Sequence, residues 1–119
     1  MSNGAKNRRK GHQMERDLAS KFREIKWKNC RTTREQSRFL DNLGIDLTGL
    51  PFAVQSKNVS SSINYRALLR EINQRMKSHK IKQPLLVFHR RGRSNYDKLV
   101  IMTENDFFDL IKILINEKD

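Results

Sequence analysis

The sequence is poor in cysteine, proline and glycine: one cysteine, two prolines and five glycines occur in 119 residues. Cys30 cannot form an internal disulfide and has no neighbouring cysteine with which to hold a metal, as is typical of a reducing compartment. No apolar stretch approaches the roughly 18 residues of a membrane span, and no apolar signal core follows the basic N-terminus. We therefore expect a cytoplasmic protein, in the host cytoplasm if a phage encodes it, with no membrane partner.

Acidic residues are also scarce: 13 Asp and Glu stand against 25 Lys and Arg, for a net charge of +12. A small soluble domain needs a net charge of only about 2–8 in magnitude. The excess attracts polyanions, and each phosphate that is neutralised releases condensed counterions. A basic helix with bulky apolar anchors, which would favour an anionic membrane, is not evident. The charge therefore favours nucleic acid as the partner, with a purely solubilising surface as the alternative.

The order of periodic segments predicts one α/β domain. Residues 1–9 are polar and basic and are predicted to form a flexible arm, and no linker or repeat divides residues 10–119. The elements alternate between helical and strand patterns, which favours a sheet covered by helices. The predicted elements are a helix from Arg8 to about Lys26, a short strand within Trp27–Thr33, a loop over Arg34–Asn42, a hairpin turning at Thr48–Pro51 with second strand Phe52–Lys57, a helix capped within Ser60–Ser62, strands Leu85–His89 and Tyr96–Met102, and a closing helix from Thr103.

Three polar residues of the predicted hairpin carry the chemistry. Asp46 starts the first strand, and Gln55 and Lys57 share one face of the second because side chains alternate along a strand. Carboxylate and amide oxygens suit a hard cation such as Mg²⁺. Such a cation activates water for phosphodiester hydrolysis, and a lysine beside it orients the water or stabilises developing charge. The alternative is that Asp46 caps a turn while Gln55 and Lys57 lie on a solvated strand face.

An acid on the first helix extends this set. Glu15 lies beside the apolar stripe of Met14, Leu18 and Phe22, at the boundary between core and solvent. From that boundary its carboxylate can reach the sheet on which the helix packs. The alternative is an ordinary surface glutamate paired with a neighbouring cation.

These residues carry a resemblance. K-G-x-x-x-E-R-x-L, a strand, G-I-D-L and V-Q-S-K, over residues 10–58, are similar to the archaeal Holliday-junction resolvases and related phage nucleases of the PD-(D/E)xK superfamily. The resemblance implies a restriction-endonuclease-like core, a central mixed sheet flanked by helices. It implies a homodimer that cuts branched DNA in recombination and repair, using Mg²⁺, with Mn²⁺ as a substitute. It makes Glu15, Asp46, Gln55 and Lys57 catalytic, with Glu15, Asp46, Gln55 and the carbonyl of Ser56 as metal ligands.

The sequence departs from the family at two places. Position 55 is Gln where the family usually has Glu, so the site has one negative charge fewer and should hold Mg²⁺ less tightly. The loop Arg34–Asn42 is longer than in the archaeal resolvases, so Ser37 is not equivalent to the serine that precedes their aspartate. Asp41 in this loop is interpreted as a loop or cap residue.

The predicted DNA contacts are basic residues in three segments, since arginine pairs with phosphate through two parallel hydrogen bonds. The resemblance makes Arg34 the active-site arginine, because it follows Thr32 and Thr33 as the family's arginine follows its first strand. Solvated charged faces are the alternative for every patch. The predicted contacts are Lys6, Arg8, Arg9 and Lys10 in the arm, Arg31, Arg34 and Arg38 before the site, and Arg90, Arg91 and Arg93 in the turn between the last two strands.

Three functions remain open at this stage. The first is a metal-dependent, structure-specific DNA endonuclease, most concretely a Holliday-junction resolvase. The second is a catalytically weak or inactive nucleic-acid-binding protein on the same fold, in which Gln55 marks a decayed site. The third is an unrelated RNA-binding protein, which the lack of aromatic-rich strands disfavours. The apolar closing helix, with Phe108 and Ile115 beyond its core stripe, is predicted to contribute to the homodimer interface.

Overall fold

The computed structural model describes residues 3–116 and has the alternating order that the sequence predicts. No helix within this range is long and apolar enough to cross a membrane. The elements are α1 (Asn3–Ile25), β1 (Arg31–Thr32), α2 (Thr33–Gln36), α3 (Arg38–Leu43), β2 (Leu47–Thr48), β3 (Ala53–Asn58), α4 (Tyr65–Ser78), β4 (Leu85–Arg90), a 3-10 turn (Asn95–Asp97), β5 (Lys98–Ile101) and α5 (Glu104–Asn116).

The main sheet is mixed and has three strands in the order β3-β4-β5. β3 runs parallel to β4, with Gln55 opposite Val87, and β5 returns antiparallel to β4. The run Leu85–Val87 is buried throughout, because a central strand covered on both faces needs apolar side chains on both. β1 and β2 form a separate antiparallel pair. The predicted α/β class with a mixed sheet flanked by helices is confirmed.

Two apolar clusters cover the two faces of the main sheet. On one face the α1 stripe, with Met14 and Leu18, packs against Val54 and Leu86. On the other face the α4 stripe of Leu69, Ile72 and Met76 packs against Ala53, Leu85 and Val87. Neighbouring residues of β3 and β4 thus enter opposite clusters, as strand alternation requires.

The predicted boundary between the basic arm and the first helix is wrong. Helix α1 begins at Asn3, so residues 3–9 are helical and not a flexible arm. No proline interrupts this stretch, and its alanine, lysine and arginines are good helix formers, so the helix continues toward the N-terminus. Residues 1 and 2 lie outside the described residues.

The predicted loop over Arg34–Asn42 is also wrong, because the segment forms α2 and α3. Ser37 separates the two helices and caps α3, its hydroxyl accepting a hydrogen bond from the backbone N–H of Leu40 at 3.2 Å. Gly44 ends α3 in the left-handed conformation, with φ 91°. A serine N-cap and a glycine after the last turn are the ordinary ends of a short helix. Asp41 lies inside α3, in its first turn.

The predicted hairpin does not form a continuous ladder. One backbone hydrogen bond, from Asp46 N–H to the Val54 carbonyl at 2.7 Å, joins the segments, whereas β2 pairs with β1 and β3 pairs with β4. The next donor of β3, the N–H of Ser56, bonds to the side chain of Asp46 at 2.6 Å. The ladder stops there because a carboxylate occupies the place of the partner carbonyl.

Of the last two helices, α4 begins after a different capping residue from those predicted, and α5 begins where predicted. Asn64, not a serine within residues 60–62, caps α4 by accepting the N–H of Ala67 at 3.1 Å. Thr103, from which the closing helix was predicted to start, caps α5 by accepting the N–H of Asp106 at 3.1 Å. The carboxylate of Asp106 accepts the N–H of Leu85 at 3.1 Å, which ties α5 to the start of β4.

Candidate active site

The backbone around Asp46 is held from two sides. Its N–H donates to the Val54 carbonyl at 2.7 Å, and its carbonyl accepts the N–H of Thr33 at 2.9 Å. The Thr33 hydroxyl, fully buried, donates to the carbonyl of Ile45 at 2.7 Å. The start of α2 and the strand β3 therefore fix the position from which the Asp46 side chain leaves the backbone.

The Asp46 carboxylate lies in a dense hydrogen-bond cluster and is 7% exposed. Its Oδ2 accepts the Ser56 N–H at 2.6 Å, the Gln55 Nε2 at 3.0 Å and the Ser56 hydroxyl at 3.2 Å. Bonds of this kind fix the orientation of a carboxylate. The structure thus brings Asp46 and Gln55 together with Ser56, whereas Lys57, the third residue of the predicted centre, makes no hydrogen bond to Asp46 in the described part of the chain.

Burial raises the pKa of Asp46 from 3.8 to about 7. The charges of Glu15 and, more weakly, Asp41 raise it further, whereas the hydrogen bonds from the Ser56 N–H and hydroxyl lower it. Two like charges that share a poorly solvated region disfavour each other's ionised form. The site therefore carries negative charge that either a proton or a cation can compensate.

Glu15 lies on α1 close enough for its charge to act on Asp46, which places the predicted helix acid at the site. Arg34 of α2 donates from Nε to the Glu15 Oε1 at 3.2 Å. The side chains are 12% exposed for Glu15 and 30% for Arg34. The structure thus places Arg34 in an ion pair with Glu15, one of the candidate metal ligands.

Gly44 determines how the Gln55 amide is oriented. A Cβ on Gly44 would lie 2.8 Å from the Gln55 Oε1, and the left-handed φ of 91° disfavours any other residue there. The amide oxygen of Gln55 therefore faces Gly44, and the amide nitrogen faces Asp46 and also donates to the Ser56 carbonyl at 3.3 Å. In this orientation the Gln55 Nε2 donates to Asp46, and the predicted metal ligand Oε1 faces Gly44.

Lys57 lies two residues beyond Gln55 in β3 and is half-buried. Within residues 3–116 it makes no hydrogen bond or ion pair. Because side chains alternate along a strand, Lys57 and Gln55 lie on the same face of β3. Lys57 pairs with His89 of the neighbouring strand β4. Its ammonium group is thus not neutralised by a fixed partner in the described structure.

The predicted DNA contacts spread over several surfaces. Most of the predicted cations are exposed, whereas Arg90 is partly buried and its Nη1 lies 4.0 Å from the Asp17 carboxylate. Arg91 donates from Nε to the Ser60 carbonyl at 3.0 Å. The positions are α1 for Lys6, Arg8, Arg9 and Lys10, β1 for Arg31, α2 for Arg34, α3 for Arg38, the end of β4 for Arg90, and the following loop for Arg91 and Arg93.

The donor set can be tested against Mg²⁺, which prefers oxygen ligands and keeps several waters. The carboxylates of Glu15 and Asp46 fit this preference and supply two negative charges. No group of three or more His, Cys, Asp or Glu residues among the described ones has the arrangement of a metal cage. The residues fit a weakly held divalent cation that retains water, on two carboxylates.

Sequence reasoning missed several residues that build the site. The side chain and N–H of Ser56 hold Asp46, whereas only its carbonyl was predicted to act. His89, buried at 1% exposure, lies 2.7 Å from the Tyr65 hydroxyl and 3.1 Å from the Val59 carbonyl, and so anchors the segment after β3. A histidine in an apolar strand is the signal that a buried polar partner is needed.

Comparisons of the chain with protein-family models, with curated proteins and with solved structures give no match. The resemblance to the PD-(D/E)xK nucleases therefore depends on the residues and geometry described above.

Proposed function

We propose that the protein is a metal-dependent, structure-specific DNA endonuclease with a restriction-endonuclease-like core, most concretely a Holliday-junction resolvase of recombination and repair. The observations that carry the proposal are a buried Asp46 carboxylate, on which the charge of Glu15 acts, and a net charge of +12. A pair of carboxylates binds a divalent cation, and the surrounding cations attract a phosphate backbone. Action on DNA inside the cell is consistent with the predicted cytoplasmic location.

In this proposal each residue of the site has one task. Glu15 and Asp46 would hold Mg²⁺, with the Ser56 carbonyl beside them; when bound, the ion activates water and stabilises charge on the phosphate. Ser56 and Gln55 orient the Asp46 carboxylate through their hydrogen bonds. Lys57 orients the attacking water or stabilises the developing charge through its Nζ, and Arg34 positions Glu15.

The experiment that tests the proposal is cleavage of a panel of DNAs with Mg²⁺ or Mn²⁺. Four-way junctions, flaps, nicked and linear duplexes of equal length are incubated with the protein, and a parallel reaction contains EDTA. We expect metal-dependent nicking of the four-way junction in preference to the linear duplex. Equal cutting of all duplexes would contradict the junction preference alone, whereas no product from any substrate would contradict the endonuclease.

A non-catalytic nucleic-acid-binding protein on the same fold is the second candidate. The observation that favours it is the orientation of Gln55, whose Nε2 donates to the Asp46 Oδ2 at 3.0 Å. This neutral hydrogen bond partly satisfies the carboxylate without a metal ion. Tight, salt-sensitive DNA binding together with a complete lack of cleavage would support this candidate.

Gln55→Glu discriminates between the candidates. The substitution replaces a hydrogen-bond donor by a like charge beside Asp46, so we expect a lower melting temperature without metal and a larger rise on addition of Mg²⁺. If charge limits the rate, Mg²⁺-dependent cleavage increases about tenfold or more. Gln74→Glu, an exposed position of α4, makes the same charge change away from the site. Identical metal responses of the two variants would contradict a metal site at position 55.

The proposed homodimer uses the face formed by α5 and β5. α5 buries none of its residues, and the large apolar side chains Phe107, Phe108, Leu114 and Ile115 are exposed. β5 lies at the edge of the sheet and also exposes Leu99 and Val100. The helix carries Glu104, Asp106 and Asp109 against Lys112, so it repels nucleic acid, and this face stays available to a second copy when DNA is bound.

Phe108→Glu is expected to convert the dimer to a monomer, because it places a charge at the centre of an apolar interface. Sedimentation equilibrium at several protein concentrations measures the change. Phe39→Glu is the matched control, since Phe39 and Phe108 are both 54% exposed but lie on different elements. A monomeric wild type, or equal dissociation by both variants, would show that this face does not join two copies.

A further inference from the structure

A cavity of about 370 Å³ is lined by three arginines, one of which, Arg16, follows Glu15 of the candidate site in α1. Arg16 and Arg23 come from α1 and Arg31 from β1, with Thr32 and Glu35 completing most of the wall. The predicted DNA contacts include only Arg31 from this group. Three guanidinium groups around one cavity form a site for an anion, and their planar forks match the oxygens of a phosphate.

The protein holds two of these arginines in place through one backbone carbonyl. The Nη1 atoms of Arg23 and Arg31 both donate to the carbonyl of Cys30 at 2.8 Å, and Arg31 also donates to the Lys28 carbonyl at 3.0 Å. These bonds position the two side chains without neutralising them. A positioned cation loses less conformational entropy when it binds an anion than a free surface side chain does.

Two polar side chains of the cavity wall, those of Glu35 and Thr32, lack partners among the described residues. Glu35 forms no ion pair with Arg16, Arg23 or Arg31 within the described part of the chain. The Thr32 hydroxyl in the wall is buried and has no hydrogen-bond partner there. With three arginines against the one carboxylate of Glu35, the wall keeps an excess of positive charge that attracts an anion.

The position of the cavity relates it to the candidate site. Its residues Arg16, Glu35 and Thr32 are the direct chain neighbours of Glu15, Arg34 and Thr33, which hold or adjoin Asp46. Neighbouring Cα atoms are about 3.8 Å apart, and the phosphates of one strand recur at about 3.4 Å along a duplex axis. A strand at the candidate site therefore places a further phosphate near the cavity.

We propose that Arg16, Arg23 and Arg31 form a phosphate subsite that binds the DNA backbone a few nucleotides from the phosphate that is cut. The inference rests on the proposed function for its ligand, since duplex or branched DNA supplies the phosphodiester. Such a contact positions the strand without reading its sequence. It gives the nuclease a second fixed point on the strand beside the two carboxylates.

The test measures DNA binding without divalent metal, so it does not depend on cleavage. Affinity for a four-way junction is measured against salt for wild type, for Arg16→Gln/Arg23→Gln and for the control Arg66→Gln/Arg70→Gln. The control removes the same charge from exposed positions of α4, which packs on the opposite face of the sheet. We expect the cavity variant to bind roughly tenfold to a hundredfold more weakly and to lower the salt slope by about 1.

A second measurement keeps the assignment testable if the cavity variant is less stable. Uncharged methylphosphonates replace single phosphates around the branch point, one position at a time. At one position, the methylphosphonate should weaken DNA binding by wild type and by the α4 control. The same replacement should not weaken binding by the cavity double variant or by the milder single variant Arg16→Gln. Equal weakening of all proteins at every position would overturn the subsite.

Inorganic phosphate distinguishes a backbone ligand from free phosphate. One combination of results would contradict the assignment of the DNA backbone as the ligand. In it, inorganic phosphate alone raises the melting temperature of wild type, while both double variants show the same salt slope for DNA binding. The outcome is independent of the endonuclease assay. If wild type cleaves DNA but the cavity and α4 variants have equal salt slopes, only the subsite is contradicted. If the cavity variant has a lower salt slope but wild type does not cleave, the subsite belongs to a non-catalytic DNA-binding protein.

Discussion

Asp46→Ala and Asp46→Asn are expected to abolish cleavage of branched DNA while leaving binding nearly intact. Asp46 is the most deeply placed anionic oxygen donor of the candidate site, with 7% exposure and three hydrogen bonds to its Oδ2. Without its charge, Glu15 alone would have to hold the cation. We expect a loss of rate of about 1000-fold or more, because metal and electrostatic stabilisation supply much of such a barrier reduction.

The measurement is single-turnover cleavage of a labelled four-way junction with excess protein, combined with a binding isotherm in the absence of metal. Asp41→Asn is the matched control. Its carboxylate is near enough to act on the pKa of Asp46, but it lies in α3 and is not a predicted ligand. A rate that survives Asp46→Asn, or that falls equally with Asp41→Asn, would contradict the assigned centre.

The second large effect is a pH-dependent gain of stability in Asp46→Asn. The pKa of Asp46 is about 7 in the folded protein against an ordinary 3.8. Below about pH 4 the carboxyl is protonated in both states, and its contribution to stability is fully present. Between pH 4 and pH 7 the unfolded chain releases the proton first, so the free energy of unfolding falls as pH rises. Above the folded pKa the loss is complete.

The loss reaches up to about 4 kcal/mol, at roughly 1.4 kcal/mol for each pKa unit. Asp46→Asn cannot ionise, so it is expected to be more stable than wild type at pH 8 without metal and nearly equal to it at pH 4. Urea denaturation at several pH values measures the difference. Glu15→Gln should recover part of the stability at pH 8, because the like charge beside Asp46 is removed.

Parallel stability profiles of wild type and Asp46→Asn would contradict the raised pKa. Mg²⁺ gives an independent check, since a cation favours the ionised carboxylate. Its stabilisation of wild type should grow as pH rises through about 7, and the cleavage rate should grow with it. If Mg²⁺ stabilises Asp46→Asn as much as it stabilises wild type, the ion binds elsewhere in the protein.

Much of the fold could be predicted because its signals are local. The helical stripes of α1 and α4 and the apolar run of β4 occupy the buried positions that their periodicity indicates. The capping of α5 by Thr103 is likewise a short-range hydrogen bond. The segment Arg34–Asn42 was misassigned because its polar residues hide the serine cap and glycine stop of α3. The N-terminal arm was misassigned because helix formers without apolar residues look unstructured.

The candidate site was predicted in part for a similar reason. Asp46 and Gln55 were placed together by their spacing, and Glu15 by its position at the edge of the apolar stripe. Their roles toward one another depend on contacts across the fold. The orientation of Gln55 follows from Gly44, and the ladder beside Asp46 is broken by its own side chain. Neither effect has a pattern in the linear sequence.

The +12 charge, the alternation of helices and strands, and the polar residues that bracket one strand can be predicted from the amino-acid sequence. Each depends on composition or on neighbours a few positions apart. The pairing of β3 with β4, the raised pKa of Asp46 and the grouping of three arginines around one cavity arise only in the folded chain. These depend on burial and on distances between segments far apart in the chain, which exist only after the segments have packed.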